Sequence, residues 1–181
     1  MALWIASRHK LTCLRLTGGA LINVGSEASE VAIPLQGMYT ATKHAVKGFT
    51  DALRIEVEQV DGAAVSITLI QPTAVDTPLP QHARNYMAHE PKLPSPQIDP
   101  HQVAEAILAA ATAPARNVKV GAMASLDVAV EKFLPGVADV MAAFQVPRQQ
   151  TDQPAQTREG ALYRAGAEGR IYGCGNGKAR R

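Results

Sequence analysis

Tyr39 and Lys43 stand four residues apart in GMYTATKHAVKGF, residues 37–49, and one turn of helix would put a phenol and an ammonium on the same face. A phenol ionises near pH 10, so at neutral pH it is a poor base until a neighbour favours its anion. A cation within about 4 to 6 Å does so, and such a pair can exchange a proton with an alcohol or carbonyl oxygen. A structural reading is also open, with Tyr39 capping the core at its rim and Lys43 solvated. Ser26 precedes Tyr39 by thirteen residues and offers a hydroxyl that could hold the same oxygen and stabilise its developing charge. The run PTAVDT, Pro72 to Thr77, adds backbone and hydroxyl groups.

These residues need elements to bring them together. GALINV, residues 19–24, is a short apolar run bounded by glycines, as expected of a strand buried on both faces. Val46, Phe49, Leu53, Val57 and Val60 recur at helical spacing between Gly37 and about Gln59. A second strand is expected from Val65 to Ile70, stopped by Pro72. A helix then opens on Asp99 as N-cap with Pro100 at its first position, followed by a strand in NVKVGAM and a helix over 124–143 broken at Pro135. Strands alternating with helices predict an open parallel α/β sheet, whose ligands bind beyond the carboxyl ends of the strands. Ser26, Tyr39, Lys43 and the Pro72–Thr77 loop would all meet there.

INVGS, the spacing from Ser26 to Tyr39, YTATK and PTAVDTP together resemble the active-site half of a short-chain dehydrogenase/reductase. The resemblance is close over roughly residues 18–120 and loose over the following helix; the first seventeen residues do not share it. It implies a Rossmann-like doubly wound sheet and NAD(P)-dependent interconversion of a carbonyl and a secondary alcohol, with Ser26, Tyr39 and Lys43 catalytic. It also implies NAD or NADP held by Tyr39, Lys43, Pro72, Val75 and Thr77. The family usually has glycine after the loop proline; Thr73 stands there, and its Cβ would crowd the nicotinamide or shift the backbone.

The glycines of LTGGALINVGS lead into a strand rather than a helix, so they do not read as the turn that receives a dinucleotide pyrophosphate. Seventeen residues upstream cannot supply the family's N-terminal strands, and the expectation is a truncated chain, inactive alone, with the N-terminal half of the sheet missing. The second reading is a non-catalytic remnant acting as an interaction module, associating as a homo-oligomer through the helix over 37–59. The domain division expected is an atypical segment over 1–17, the α/β part over 18–146 and a basic, flexible tail over 147–181.

That tail carries seven Lys/Arg against three Asp/Glu, while the preceding residues carry eleven against thirteen. Scattered charge of this kind reads as a solvated linker rather than a nucleic-acid site. Cys13 and Cys174 have no paired spacing and read as free thiols, and the histidines share no ligand spacing that would argue for a metal. A cytoplasmic, non-membrane protein acting on a small molecule is expected. Tyr86 and Met87, in the segment after the loop, are candidates to line a substrate pocket.

Overall fold

The computed structural model describes residues 14, 17–155, 159–161, 163 and 169–173. Strands β1 (Gly19–Val24), β2 (Val65–Pro72) and β4 (Asn117–Val120) form a parallel sheet in the order β1-β2-β4. Gly19 pairs with Val65 through to Val24 with Ile70, and Leu69 pairs with Asn117 through to Pro72 with Val120. Helix α1 (Gly37–Arg54), continued by a π-helical turn over Ile55–Val60, connects β1 to β2. Between β2 and β4 run a short helix α2 (Leu79–His82), strand β3 (His89–Pro91) and helix α3 (Pro100–Thr112).

The period of two along the strands decides what each helix covers. Leu21, Val65 and Ile67 pack with Phe49, Leu53 and Val57 of the first helical segment. Their neighbours Ile22, Ile70, Val118 and Val120 pack with Val103, Ile107 and Ala110 of α3. The sheet is therefore covered on both faces, the Rossmann-like arrangement expected, and β2 at its centre is the most deeply buried strand. With few aromatics available, the core is assembled from aliphatic side chains worth about 1.5–3 kcal/mol each when fully buried.

Pro72 ends β2 rather than stopping it at Ile70. The N–H of Thr73 donates to Val120 O on the β4 side, and that of Gly25 to Ile70 O on the β1 side. A donor at Pro72 would point past the end of β1, so the proline removes no ladder bond. Asp99 caps α3 as expected, its carboxylate accepting from the N–H of His101 at 2.9 Å, with Pro100 at the first position. The expected break at Pro135 divides helix α4 (Ala122–Phe133) from α5 (Pro135–Gln145).

The stretch after Val146, expected to be a tail, instead begins within a 3-10 turn over Val146–Gln149 and continues as strand β5 (Gln150–Pro154), antiparallel to β3. Lys92 N–H donates to Gln149 O at 2.7 Å and Ala155 N–H to Ala88 O at 2.9 Å. This pairing runs through the backbone, which is why a polar sequence without periodicity did not announce it. Further on, Tyr172 donates its hydroxyl to Asp99 at 3.3 Å. Cys13, Cys174 and most of the segment over 1–17 lie outside the described residues, although Leu14 packs on the first core cluster. Among the described residues there is no cluster of three metal-ligating side chains and no helix long and apolar enough to cross a membrane.

Arg54 ties the layers together. Its buried guanidinium donates to Ile67 O of β2 at 2.9 Å, to Arg116 O just before β4 at 2.9 Å and to Asp51 at 2.6 Å. Burial pushes the Asp51 carboxyl up, but hydrogen bonds from Lys47 and Arg54, with the charges of Lys47 and Arg116, outweigh it and hold the group below the usual carboxylate value. Removing the guanidinium would take this donor from Ile67 O and break the bonds to Arg116 O and Asp51, although Arg116 O keeps the Leu69 N–H and Asp51 keeps Lys47 and Arg116. Arg54→Met is expected to destabilise the fold by about 3 kcal/mol in urea unfolding. A change below about 0.5 kcal/mol would show that these bonds contribute nothing net.

Candidate active site

Ser26 follows β1 and sits at the start of a 3-10 turn over Glu27–Ser29. Its Oγ accepts from Ala28 N–H at 3.2 Å, and its own N–H donates to Ser29 Oγ at 3.2 Å. With the oxygen engaged as an acceptor, the hydroxyl hydrogen is left to donate. The preceding Gly25 is required by close approach: a Cβ there would lie 2.9 Å from Ser29 Oγ and 3.1 Å from Leu69 Cδ1.

Helix α1 carries Tyr39 and Lys43 past this turn. The ammonium of Lys43 donates to Gly25 O at 3.0 Å and Val24 O at 3.3 Å, binding the helix to the end of β1. It also lies 5.8 Å from the centre of the Tyr39 ring. Burial pushes this ammonium below the usual lysine value. His44 turns instead to Thr40 O at 3.0 Å.

The third wall is the loop after β2. Val75 bridges Ile98 through its neighbours, with Asp76 N–H donating to Ile98 O at 3.0 Å and Ile98 N–H to Ala74 O at 2.9 Å. In a parallel bridge the central residue's own amide points the other way. The N–H of Val75 accordingly has no protein acceptor among the described residues, while its carbonyl accepts from Thr77 N–H at 2.8 Å. Thr73 is accommodated by Gly121. That glycine has φ +101° and a Cβ there would collide with Thr73 Cγ2, so the threonine methyl occupies the space a side chain would need.

Ser26, Tyr39, Pro72, Val75 and Thr77 all line one cavity of about 400 Å³. Lys43 does not line it and stands behind, on the β1 carbonyls. Tyr86 and Met87 do not line it either; Tyr86 is 81% exposed with Arg84 over its ring at 5.0 Å. The sequence reading missed two residues that do. Glu27, bonded to the Thr73 side chain, and Asp127 of α4 both face the cavity. Burial pushes both carboxyls above the usual range, and the charge of Asp127 adds to the effect on Glu27. A glutamate directly after a strand-end serine was the available signal; nothing marked Asp127, which arrives from a helix a hundred residues away.

The family model for short chain dehydrogenases matches residues 2–88. The chain belongs to the short-chain dehydrogenase/reductase family. The match begins at residue 2, so the expectation that the first seventeen residues are unlike this family is overturned. An uncharacterized oxidoreductase of Bacillus subtilis (strain 168), YxnA, is 38% identical over 151 residues, 82% of this chain and 42% of the relative. Dehydrogenase/reductase SDR family member 7C of Xenopus tropicalis is 37% identical over 57 residues, 32% of this chain and 17% of that protein. A short chain dehydrogenase from Burkholderia cenocepacia J2315, solved in complex with NADP, aligns with TM-score 0.61 and 26% identity over 75% of this chain and 52% of its own. The chain thus spans about half the length of that structure and less than half of the curated relatives.

The buried carboxyl of Glu27 sets a pH signature for this chain. A raised folded value means that the fold favours protonated Glu27, so its contribution to stability is complete below the ordinary carboxylate value and is lost as pH rises through the folded one. Glu27→Gln is expected to stabilise the chain at pH 8 relative to the native sequence and to leave stability unchanged or lower at pH 4, read from urea midpoints. Equal midpoint shifts at both pH values would contradict a buried, charge-averse carboxyl.

Proposed function

We propose that the chain carries the proton-transfer centre of an NAD(P)-dependent oxidoreductase acting on a carbonyl or secondary alcohol. The observation that carries this reading is one cavity bringing together the Ser26 hydroxyl, the Tyr39 phenol and the loop from Pro72 to Thr77, with Lys43 fixed behind the phenol.

The donor set fits the nicotinamide end of the cofactor. The Val75 N–H is without an acceptor at the cavity wall, as a carboxamide oxygen requires, and Thr77 adds a hydroxyl to the same wall. Val75 and Thr77 would hold the carboxamide side and Lys43 the ribose hydroxyls, with Tyr39 and Pro72 completing the site. When bound, the cofactor supplies or accepts the hydride.

The residues of the chain do the rest. Ser26 donates its free hydroxyl hydrogen to the substrate oxygen and holds it against Tyr39. The phenol gives its proton to that oxygen during reduction or takes it during oxidation. Lys43 places a positive charge 5.8 Å from the centre of the ring. The apolar cavity wall, including Val31, Ile33 and Met141, keeps water from competing for these bonds.

The test begins with calorimetric titration of the folded chain with NADPH and NADH, followed by ketone reduction monitored through cofactor absorbance. Tyr39→Phe is expected to lower turnover by about 10²- to 10⁴-fold at saturating cofactor in a chain that still folds. A folded chain that binds neither cofactor would overturn the reading.

A second reading, association through the helix over 37–59, draws on Met38, Ile55 and Val60, which are large apolar side chains left exposed there. Sedimentation is expected to give a dimer that Met38→Glu and Val60→Glu dissociate. A monomer at every concentration would dispose of it.

A further inference from the structure

The cavity beside Ser26 has a charge character that proton transfer does not require. Three carboxylates line it, Glu27 from the turn after β1 and Asp127 and Glu131 from α4, and among the described residues no lysine, arginine or histidine does. The remainder of the wall is mainly apolar. Carboxylates are seldom gathered in such surroundings without a cation, because each loses its water without gaining a partner.

Glu27 makes the imbalance specific. The Thr73 side chain bonds its carboxyl, yet Oε2 is buried and has no hydrogen-bond partner among the described residues. Asp127 faces the same space from another element, with no ion pair among the described residues. Burial disfavours charge on both groups, and the charge of Asp127 adds to this at Glu27. A cation entering between them would reverse both effects.

We infer that this cavity selects a substrate bearing a protonated amine alongside its carbonyl or secondary alcohol, with Glu27 and Asp127 receiving the ammonium while Ser26 and Tyr39 hold the oxygen. Glu27 immediately follows Ser26 in the chain, so the ammonium and the reacting oxygen are received by neighbouring residues, which suits a compact amino alcohol or amino ketone. An ammonium has three donors, enough for the free Glu27 oxygen and the Asp127 carboxylate together. The inference rests on the oxidoreductase reading for the position of the oxygen but not for the recognition of the amine.

The test uses two probes of nearly equal shape, 1-amino-2-propanol and 2-butanol, titrated at pH 7 into the isotope-labelled full chain and followed by NMR shifts. The amine is expected to bind about 10- to 100-fold more tightly, the range that a charge-assisted hydrogen bond supplies. Shifts should centre on residues 26–28 and 127–131. Glu27→Gln and Asp127→Asn, both close to isosteric, should each reduce the preference by about tenfold without reducing 2-butanol binding. Equal affinity for the two probes, no binding of either, or a preference that survives both substitutions would overturn the inference. Failure of the oxidoreductase reading is distinguishable: amine preference without cofactor-dependent turnover supports the amine site while removing the reaction. Turnover of neutral alcohols as efficiently as amino alcohols removes the amine site while supporting the reaction.

Discussion

The bonds from Lys43 to the carbonyls of Val24 and Gly25 join the two parts on which the site depends. A parallel strand ends with carbonyls that no neighbouring strand need satisfy, and a half-buried ammonium needs acceptors. Each answers the other's requirement. The joint fixes α1 against the end of β1, so the Tyr39 ring and the Ser26 hydroxyl hold their mutual position through the backbone. At the far end of the helix, Arg54 performs a related task with the carbonyls of Ile67 and Arg116. The helix is therefore bound at both ends by cations on main-chain oxygens, with Phe49 and Leu53 packed between them.

That arrangement also explains the division of labour between the faces of the sheet. One alternating set of strand residues packs on α1 and the other on α3, and β2, covered on both sides, takes no part in chemistry until it ends. The loop after Pro72 then crosses the mouth of the sheet and is held by Ile98 rather than by a strand neighbour. Its geometry turns the Val75 amide away from Ile98, because the bonds on either side of it point toward that residue, and Val75 lines the cavity.

Much of this was legible in the residues. The apolar run at 19–24, the helical spacing after Gly37, the Asp99 cap and the break at Pro135 each followed from local chemistry, and each stands where its pattern put it. The convergence of Ser26, Tyr39 and the Pro72 loop followed from strand order alone. What escaped was contact between distant segments. The strand over Gln150–Pro154 pairs through backbone atoms that carry no side-chain signature. Asp127 reaches the cavity only because α4 folds over it, and Tyr86, plausible from its place after the loop, turns to solvent beneath Arg84. The shared match from residue 2 likewise shows that a short segment lacking obvious motifs can still carry ancestry.

Thr73 and Gly121 share one volume: the methyl of the first stands where a side chain of the second would be. This makes their histories interdependent. A chain with glycine at both positions would have a void beside the cavity, whereas side chains at both positions would collide. Passage between the two single-glycine states therefore runs through the void, the milder of the two defects, and the order of substitution is constrained even though neither residue performs chemistry. The hydroxyl that Thr73 turns to Glu27 gives the present state an additional tie that the reversed pair would lack. Drift at residue 121 is thereby coupled to the polarity of the cavity through Thr73, which lines it, so a family tree of these two positions would record changes in what the cavity accepts.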